Sequence, residues 1–504
     1  MFDRLFPTGP GKGSIYALIG SFLVIRLALS IIFPVTIDEA YAVVVSRYPT
    51  LSYFDHPPLA FDFARLAATM FGSEALFVVR LPHVILGSLS AWLLYRVTAR
   101  SFGIEAAFYA VAFYSIAPFF FLSSGHFVVP DGPLNFFLFA ALWLVQPLLL
   151  GDETKSPILR WLATGAALAL ALMSKYQAVL FGLAAFIYML GSDKGRKILQ
   201  TKGPWLALII AALGLIPVLV WNAQHDWISL AFQSGRAGDG VSLHLQNFAL
   251  MMLGQNAYLL PGTWVVAHYM IWRAFSGPKH GDEPLFATLA AVPILIFDVI
   301  ALVSERNLPH WPMSGFLFAF PLIGLWSVEM KQRFDRFIGW AFRLPTILLP
   351  VIALLLALQT HTAIFTRYLF EKSPQGDVDW QLVSWDSLKQ DFNKRGITQD
   401  QNAFMVPMTW TEAARAAYAL GPDIPVAAPL FDPRHFAFMP DVRLAGRNNG
   451  YAISRAPIGQ SEQAKKRIVS MLSAYKVTGQ GWSILQTRAG FPAFEIVVVP
   501  VVPL

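Results

Sequence analysis

Two adjacent carboxylates, Asp38 and Glu39, follow the first long apolar run of the chain, and Tyr41 lies beside them. A second polar cluster, which includes Asp55 and His56, comes shortly afterwards. Ionisable groups at the mouth of a membrane helix are costly to desolvate, and those that are present usually serve a function. A carboxylate there can act as a general base, with histidine and tyrosine as partners in proton transfer. The alternative is that the acidic residues simply end a helix in water.

Cationic side chains occur in other short segments between apolar runs. Lys175 separates two apolar stretches, where it either binds an anion or extends its ammonium group to the interface, and we favour the anion. Arg306 and His310 flank a short loop and fit a phosphate or a sugar acid, since arginine binds such groups through paired hydrogen bonds. These three residues predict a site for an anionic substrate.

Three further residues have two interpretations each. Arg80 either binds an anion or pairs with Glu74 or Asp62. Asp131 follows a proline at a predicted helix start, where it either binds substrate or caps the helix, and we prefer capping. His225 lies between two tryptophans, which is typical of sugar stacking or of an aromatic belt at the membrane surface.

Membrane helices must position these residues. The chain has 504 residues, of which 56% are hydrophobic and 14% are charged, and its mean hydropathy is +0.52. Soluble proteins average about 25% charged residues. The composition therefore indicates a polytopic α-helical membrane protein. The lack of cysteine excludes disulfides and thiol catalysis.

A spanning helix needs about 20 mostly apolar residues, and about eleven stretches qualify. The predicted spans cover residues 14–34, 81–100, 104–122, 133–150, 158–174, 177–191, 204–222, 251–272, 285–303, 312–328 and 341–360. With the amino terminus inside, Lys and Arg concentrate in the inner loops, as the positive-inside rule requires. This orientation places all of the candidate residues named above on the outer side.

We expect a transmembrane domain over residues 1–360, with a first outer loop at 35–80. Within that loop, Leu59–Phe71 carries apolar residues on one helical face. The pattern is typical of a helix that lies in the membrane interface or packs against the bundle.

The composition becomes polar after about residue 361. We therefore predict a soluble α/β domain over residues 361–504, on the outer side. Strands are expected at 402–408, 424–429 and 495–502. The string Thr409-Trp410-Thr411-Glu412 is a capping box, and it predicts a helix that ends at Leu420.

Several short strings resemble the motifs of bacterial family 39-type glycosyltransferases, which belong to the GT-C fold group. They are Asp38-Glu39-Ala40-Tyr41, Tyr53-Phe54-Asp55-His56-Pro57-Pro58, Val79-Arg80-Leu81-Pro82, Pro130-Asp131-Gly132-Pro133, Ser174-Lys175-Tyr176, Trp221-Asn222-Ala223-Gln224-His225-Asp226-Trp227 and Leu308-Pro309-His310-Trp311-Pro312. The group includes protein O-mannosyltransferases and the lipid A aminoarabinose transferases. The chain is also similar to rhizobial-type galacturonosyltransferases that decorate lipopolysaccharide.

The resemblance implies a GT-C membrane domain that moves a sugar, galacturonic acid among the candidates, from a polyprenyl-phosphate donor to a lipid A or lipopolysaccharide-type acceptor. Asp38 matches the family's catalytic acidic position and is implied as general base, with Glu39 and Asp55 as further catalytic residues. The aminoarabinose branch has a Glu-Lys pair where this chain has Asp55 and His56. Substrate or phosphate binding is implied for Tyr41, His56, Arg80, Asp131, Lys175, His225, Arg306 and His310.

The predicted orientation leads to the same chemistry. Nucleotide sugars are made in the cytoplasm and do not cross the membrane, so an outer-facing transferase needs a donor that does. The phosphate of a polyprenyl-phosphate sugar leaves without an acid, while cations stabilise the developing charge. A base on the opposite face activates the acceptor hydroxyl, and direct displacement inverts the anomeric carbon. The chain has no tight ligand spacing such as His-x-x-x-His, and we expect no cofactor, with a divalent metal as the alternative.

Other functions remain open at this stage. Within the enzyme class, protein O-mannosylation is the second candidate. A polyprenyl-lipid transporter or flippase explains intramembrane charge but not an outer α/β domain, and the lack of an internal repeat counts against many transporter folds. A structural subunit leaves the clustered charges unexplained. The expected location is the inner (plasma) membrane of a bacterium with the active site facing the periplasm, and no nucleic acid partner is expected.

The topology can be tested with reporters fused after Leu504. A reporter that is active only outside the cytoplasm should be active there, because an odd number of spans places the carboxyl terminus opposite the amino terminus. A cytoplasm-only reporter at the same position should stay silent, and its activity would put the motifs on the wrong side of the membrane.

Overall fold

The computed structural model describes residues 11–151, 157–235, 242–277, 281–304, 308–365, 380–440 and 444–504. The chain divides into two compact units. The first, the bundle unit, consists of Met1–Ala28, Thr50–Phe63 and Arg80–Pro350. The second, the sheet unit, consists of Leu29–Pro49, Ala64–Val79 and Val351–Leu504. The sheet unit therefore includes two stretches of the predicted first outer loop besides the carboxyl-terminal region.

Helices account for most of the described chain. As far as Thr362 they are α1 (Lys12–Ile32), α2 (Ile37–Ser46), α3 (Leu59–Phe71), α4 (Leu76–Ile116), α5 (Asp131–Leu150), α6 (Pro157–Ser174), α7 (Val179–Leu190), α8 (Asp193–Leu199), α9 (Lys202–Leu213), α10 (Ile216–Gln224), α11 (Ile228–Gly235), α12 (Leu245–Leu259), α13 (Pro261–Ser276), α14 (Glu283–Val303), α15 (Met313–Phe316) and α16 (Phe320–Thr362). The predicted fold class, a helical membrane protein with a carboxyl-terminal α/β region, is confirmed.

Seven described helical segments are long and apolar enough to cross a membrane, or up to eight if the bent pair Tyr176–Leu190 and Asp193–Leu199 is one span. Helix α4 is 41 residues long, and Gly103 interrupts it with a φ of +84°. It therefore contains the second predicted span and most of the third. The chain is a multi-pass membrane protein, and the total of about eleven spans stays a prediction.

The predicted continuous span at 251–272 is wrong. Helix α12 ends at Leu259 and α13 begins at Pro261, while Leu260 between them has a φ of 70° and a ψ of 140°. Proline has no N–H for the helix ladder and pushes the preceding residue out of helical conformation. The apolar run alone did not reveal this break.

Small residues allow close helix packing in the bundle unit. A Cβ atom added at Gly165 of α6 would lie 2.6 Å from the carbonyl oxygen of Ala207 in α9. One added at Gly214, which follows α9, would lie 2.4 Å from the carbonyl oxygen of Ala169. Close backbone approach of this kind is a usual device for packing helices in lipid.

Helix α3 has the predicted bounds, Leu59–Phe71. Leu66, Met70 and Phe71 are 55%, 70% and 59% exposed, whereas Ala64 and Ala67 are buried. The helix thus exposes apolar side chains, and its location in the membrane interface stays a prediction.

The carboxyl-terminal region contains α17 (Asp386–Lys394), α18 (Trp410–Leu420), α19 (Ser461–Met471) and the strands β1 (Ala403–Pro407), β2 (Asn449–Ala456), β3 (Tyr475–Val477), β4 (Trp482–Arg488) and β5 (Phe491–Pro503). The strand order is β1-β2-β5-β3, and β4 also pairs with β5. Strands β1 and β2 are parallel, and all pairs with β5 are antiparallel.

Strand predictions in this region had different outcomes. The strands expected at 402–408 and 495–502 are present as β1 and within β5. The strand expected at 424–429 is wrong, since Val426 makes only an isolated parallel bridge with Met405. Pro425 and Pro429 flank this bridge, and proline cannot donate to a strand ladder.

Glu412 ties helix α18 to strand β2. The predicted capping box is present, because the Thr409 hydroxyl accepts from the Glu412 N–H while a Glu412 oxygen accepts from the Thr409 N–H at 3.0 Å. The other carboxylate oxygen accepts from the Ser454 hydroxyl at 2.9 Å and from the Arg455 N–H at 2.8 Å. Burial raises the pKa of Glu412, and these hydrogen bonds act in the opposite direction.

Replacement of Glu412 should therefore destabilise the sheet unit. Glu412→Ala removes a helix cap and leaves the half-buried donors of Ser454 and Arg455 in β2 without this acceptor, for an expected loss of about 2–4 kcal/mol. Glu412→Gln can still close a capping box and should cost less. Limited proteolysis of the full-length protein, with Glu462→Ala on the exposed side of α19 as control, measures the difference. Equal protease resistance of Glu412→Ala and wild type would contradict this role.

Candidate active site

A capping box fixes the start of helix α2 in the sheet unit. The Thr36 hydroxyl accepts from the Glu39 N–H at 3.2 Å, and a Glu39 carboxylate oxygen accepts from the Thr36 N–H at 3.0 Å. Glu39 is fully buried. The alternative that Glu39 is a solvated surface residue is therefore wrong. Its carboxylate holds the backbone turn on which Asp38 sits.

Asp38 is exposed in the first turn of α2. The positive end of the helix dipole stabilises its negative charge. Arg415 of α18 is 4% exposed and interacts electrostatically with both Asp38 and Glu39. Burial lowers the pKa of Arg415 to about 10, against the opposite influence of the two carboxylates, so the guanidinium stays charged at neutral pH. Arg415 therefore places a positive charge close to the two carboxylates in the first turn of α2.

Tyr41 is a packing residue in this structure. Its ring is buried against Trp410 and Phe436, at centroid distances of 5.4 Å and 5.8 Å. Its hydroxyl oxygen accepts from the His435 N–H at 3.2 Å. The structure thus gives Tyr41 contacts within the sheet unit, and its contact with substrate stays a prediction.

Asp131 and Lys175 form a buried ion pair in the bundle unit. The Lys175 ammonium lies 2.8 Å and 2.9 Å from the two oxygens of the Asp131 carboxylate. Pro130 is the cap of α5, so the preferred interpretation of Asp131 as a helix cap is wrong. The two residues are 44 positions apart. An ammonium group has three N–H donors, and the two carboxylate oxygens engage at most two of them.

Two histidines complete this group, which we call the Asp131 cluster: Asp131, Lys175, His56 and His310. Both imidazoles interact electrostatically with the Asp131 carboxylate. Tyr258 of α12 is close enough for Asp131 to act on its hydroxyl. The predicted partner Arg306 lies outside the described residues. The cluster gathers three groups that can carry positive charge around one carboxylate.

Asp55 is buried next to the cluster residue His56. Its main-chain oxygen accepts from the Gln233 amide at 2.6 Å. Its carboxylate acts electrostatically on the Tyr176 hydroxyl, which lies 3.2 Å from the Ser229 hydroxyl. The segment at 53–58 is therefore close to Tyr176, which directly follows Lys175, and to Gln233 of α11.

Arg80 and His225 also lie in the bundle unit. Arg80 is fully buried, and its guanidinium carbon lies 5.4 Å from the centre of the Phe127 ring. Glu74, its suggested partner, pairs with Arg47 at 2.7 Å instead. His225 stacks on Trp221 at 4.1 Å and its Nδ1 lies 2.7 Å from the Trp221 carbonyl oxygen. His225 therefore stacks on its own helix, and sugar stacking and a place in an aromatic belt both stay predictions for it.

The predicted site residues fall into two groups. Asp55, His56, Arg80, Asp131, Lys175, His225 and His310 belong to the bundle unit, and Asp38, Glu39 and Tyr41 belong to the sheet unit. Among the described residues, no three or more His, Asp or Glu side chains are grouped so as to hold a metal ion. The expectation of metal-independent catalysis stays a prediction.

Known proteins share both sequence and fold with this chain. Residues 55–221 match the family described as dolichyl-phosphate-mannose-protein mannosyltransferase. The lipid A galacturonosyltransferase RgtD of Rhizobium johnstonii is 24% identical over 299 residues, which are 58% of this chain and 61% of RgtD. The chain thus matches less than two thirds of the length of that relative.

The crystal structure of ArnT from Cupriavidus metallidurans bound to undecaprenyl phosphate matches 97% of this chain and 98% of ArnT. The TM-score is 0.66 at 14% identity, and the apo structure of ArnT gives 0.63. The chain has the GT-C fold. The resemblance to GT-C glycosyltransferases of the family 39 type, which the short motifs predicted, is confirmed.

The GT-C motifs revealed only part of the site. Tyr176 lies within one of the motifs, but the motif predicted no role for it. Its hydroxyl is within hydrogen-bond distance of the Ser229 hydroxyl, and the Asp55 carboxylate acts on it electrostatically. Arg415 was missed because it follows Asp38 by hundreds of residues and lies in a different predicted domain. The available signal in the sequence was a single arginine within an alanine-rich predicted helix.

The ion pair can be tested by a double-mutant cycle. Lys175→Met leaves a buried carboxylate uncompensated and should destabilise the protein by about 3–5 kcal/mol, while the double variant Asp131→Leu, Lys175→Met should recover much of that loss. If the ammonium binds the leaving phosphate, sugar transfer should stay at least roughly 100-fold low in the double variant. Thermal unfolding and transfer rates give both readouts, with the exposed Lys202→Met as control. Wild-type transfer by the stable double variant would remove the cluster from the reaction.

Proposed function

We propose that this protein is an inverting glycosyltransferase. It moves a sugar, with galacturonic acid the preferred candidate, from a polyprenyl-phosphate donor to a lipid A or lipopolysaccharide-type acceptor. The reaction takes place on the outer face of the bacterial inner membrane. The similarity to a lipid A galacturonosyltransferase carries the proposal most directly. The fold shared with a protein that binds undecaprenyl phosphate supports the choice of donor.

The chemistry of the Asp131 cluster fits the leaving group. A departing phosphate gains negative charge, and preorganised cations stabilise such charge most where water is excluded. Lys175 is buried and already oriented by Asp131, so it can turn a remaining N–H towards phosphate without reorganisation. His56 and His310 add donors when protonated.

Asp38 suits the role of the base. Its carboxylate is exposed, in contrast to the buried and hydrogen-bonded carboxylate of Glu39. In the proposed step the acceptor O–H bond breaks and its proton goes to Asp38. The new bond to the anomeric carbon forms as the bond to the polyprenyl phosphate breaks, and the phosphate leaves with the electron pair.

Protein O-mannosylation is the second candidate. The match of residues 55–221 to a protein mannosyltransferase family favours it. The two candidates share a donor class and differ in acceptor. A purified preparation offered lipid A and a serine- and threonine-rich peptide side by side should glycosylate lipid A. Transfer to the peptide alone would select the second candidate.

The donor class can be tested with the same preparation. Purified protein should transfer sugar from a polyprenyl-phosphate donor and should fail with nucleotide sugars, because its proposed site meets only donors that reach the outer leaflet. Efficient turnover with a nucleotide sugar in lipid-free detergent would reject the mechanism.

Neighbouring residues allow a matched test of the base. Asp38→Asn keeps the shape but removes the basic carboxylate, and it should slow transfer roughly 10²–10⁴-fold. Glu39→Gln retains a residue that can close the capping box and should be far less harmful. Both rates are measured at saturating donor. The opposite order of effects would make Glu39 the base.

A further inference from the structure

A cavity with both polar and apolar lining residues lies within the sheet unit, and it contains none of the candidate active-site residues described above. Its volume is about 460 Å³. It is bounded by the first turn of α18, the end of β2 with the turn that follows, and one side of α19. Small-molecule sites usually have volumes of about 300–1,000 Å³. The cavity is therefore large enough for a sugar-sized ligand.

The charge of the cavity favours an anion. Its charged lining residues are Arg455, Arg467 and Glu412. The Glu412 carboxylate already accepts hydrogen bonds from Thr409, Ser454 and the Arg455 backbone. It is thus committed to the fold, while two arginines contribute to the lining of the same cavity.

The two arginines differ in their surroundings. Arg455 is half-buried, and burial lowers the pKa of its guanidinium while Glu412 acts to raise it. Arg467 is exposed on α19, and within the described part of the chain its side chain makes no ion pair. Arginine binds carboxylate or phosphate through two parallel hydrogen bonds, and partial burial strengthens such contacts.

The remaining lining suits a carbohydrate. Gln460 and Gln463 offer amide donors and acceptors, which match sugar hydroxyls. Phe431 is 44% exposed and presents an aromatic surface at the cavity. The apolar face of a sugar ring can pack on such an aromatic surface, whereas an inorganic ion gains no binding energy from it.

We propose that this cavity binds a saccharide that carries a phosphate or carboxylate group. The two arginines hold the acidic group, the glutamines hold hydroxyls, and Phe431 packs against the sugar ring. The saccharide is either soluble or the head group of a glycolipid. Binding does not require the transfer reaction, so it is measured without donor, and a negative result leaves the proposed function untouched.

The test uses full-length protein in nanodiscs and ligand-detected NMR titrations. Galacturonic acid and glucose 1-phosphate should bind saturably, and uncharged galactose should bind at least roughly tenfold more weakly, because it lacks the charge-assisted bonds. Inorganic phosphate should bind more weakly than glucose 1-phosphate. Equal binding of galactose, or of phosphate alone, would overturn the assignment.

Two variants of helix α19 distinguish binding in the cavity from general attraction of an anion to a positively charged surface. Arg467→Gln should weaken galacturonic acid binding roughly tenfold, whereas Lys466→Gln, the exposed neighbour outside the cavity, should change it less than about twofold. Arg455→Lys keeps the charge but loses the paired geometry and should also weaken binding. Both α19 substitutions are at exposed positions, so folding is preserved. Equal effects of Arg467→Gln and Lys466→Gln would overturn the proposal.

Two further preparations identify the source of the saccharide. Nanodiscs that contain lipid A should displace galacturonic acid from the cavity if the ligand is a glycolipid head group. If lipid A has no effect while the soluble acid still binds, the ligand is a soluble glycan. If neither galacturonic acid nor glucose 1-phosphate binds to wild-type protein, the cavity is not a site for an acidic saccharide.

Discussion

Buried charges at two places in the bundle unit lie beside an opposite charge or beside backbone carbonyl oxygens, and the packing there depends on that constraint. Arg26 of α1 donates to the carbonyl oxygens of Phe120 and Phe121, where the backbone leaves regular α-helical geometry. Lys175 and Asp131 neutralise each other. An unpaired charge in such a place costs several kcal/mol. The same pairing that makes the fold possible also leaves an oriented ammonium group, which is what a phosphate-binding site needs.

Acidic residues in the first turns of helices α2 and α18 differ in how deeply they are buried. Glu39 and Glu412 each close a capping box, and both are buried. Asp38 sits one residue before Glu39 but is exposed. Adjacent acidic residues can thus serve opposite purposes, because helix geometry points one inward and the other outward. The resemblance to known motifs cannot make that distinction, whereas the capping geometry does.

The sequence predicted what local signals encode. Capping box and periodicity placed α18 and α3 correctly, since both depend on residues within a few positions of each other. The pairing of Asp131 with Lys175 could not be predicted, because it joins residues 44 positions apart. Strand β2 was missed because its polar and charged residues hide its alternation, and its partners come from distant segments. The motifs supplied the candidate residues, and long-range contacts show which of them lie together, as Asp131 and Lys175 do.

The sheet unit is assembled from both ends of the chain. Arg47, just after α2, donates to the carbonyl oxygen of Ala417 in α18 across 370 positions. Helix α2 leaves the ribosome early and α18 leaves it late, and contacts between segments so far apart form slowly. The acidic turn at Asp38 and Glu39 therefore acquires its final electrostatic surroundings only when synthesis is nearly complete. A chain that terminates between Thr362 and Arg415 has the membrane helices but lacks the arginine that acts on those carboxylates, so such a product cannot complete the surroundings of the acidic turn.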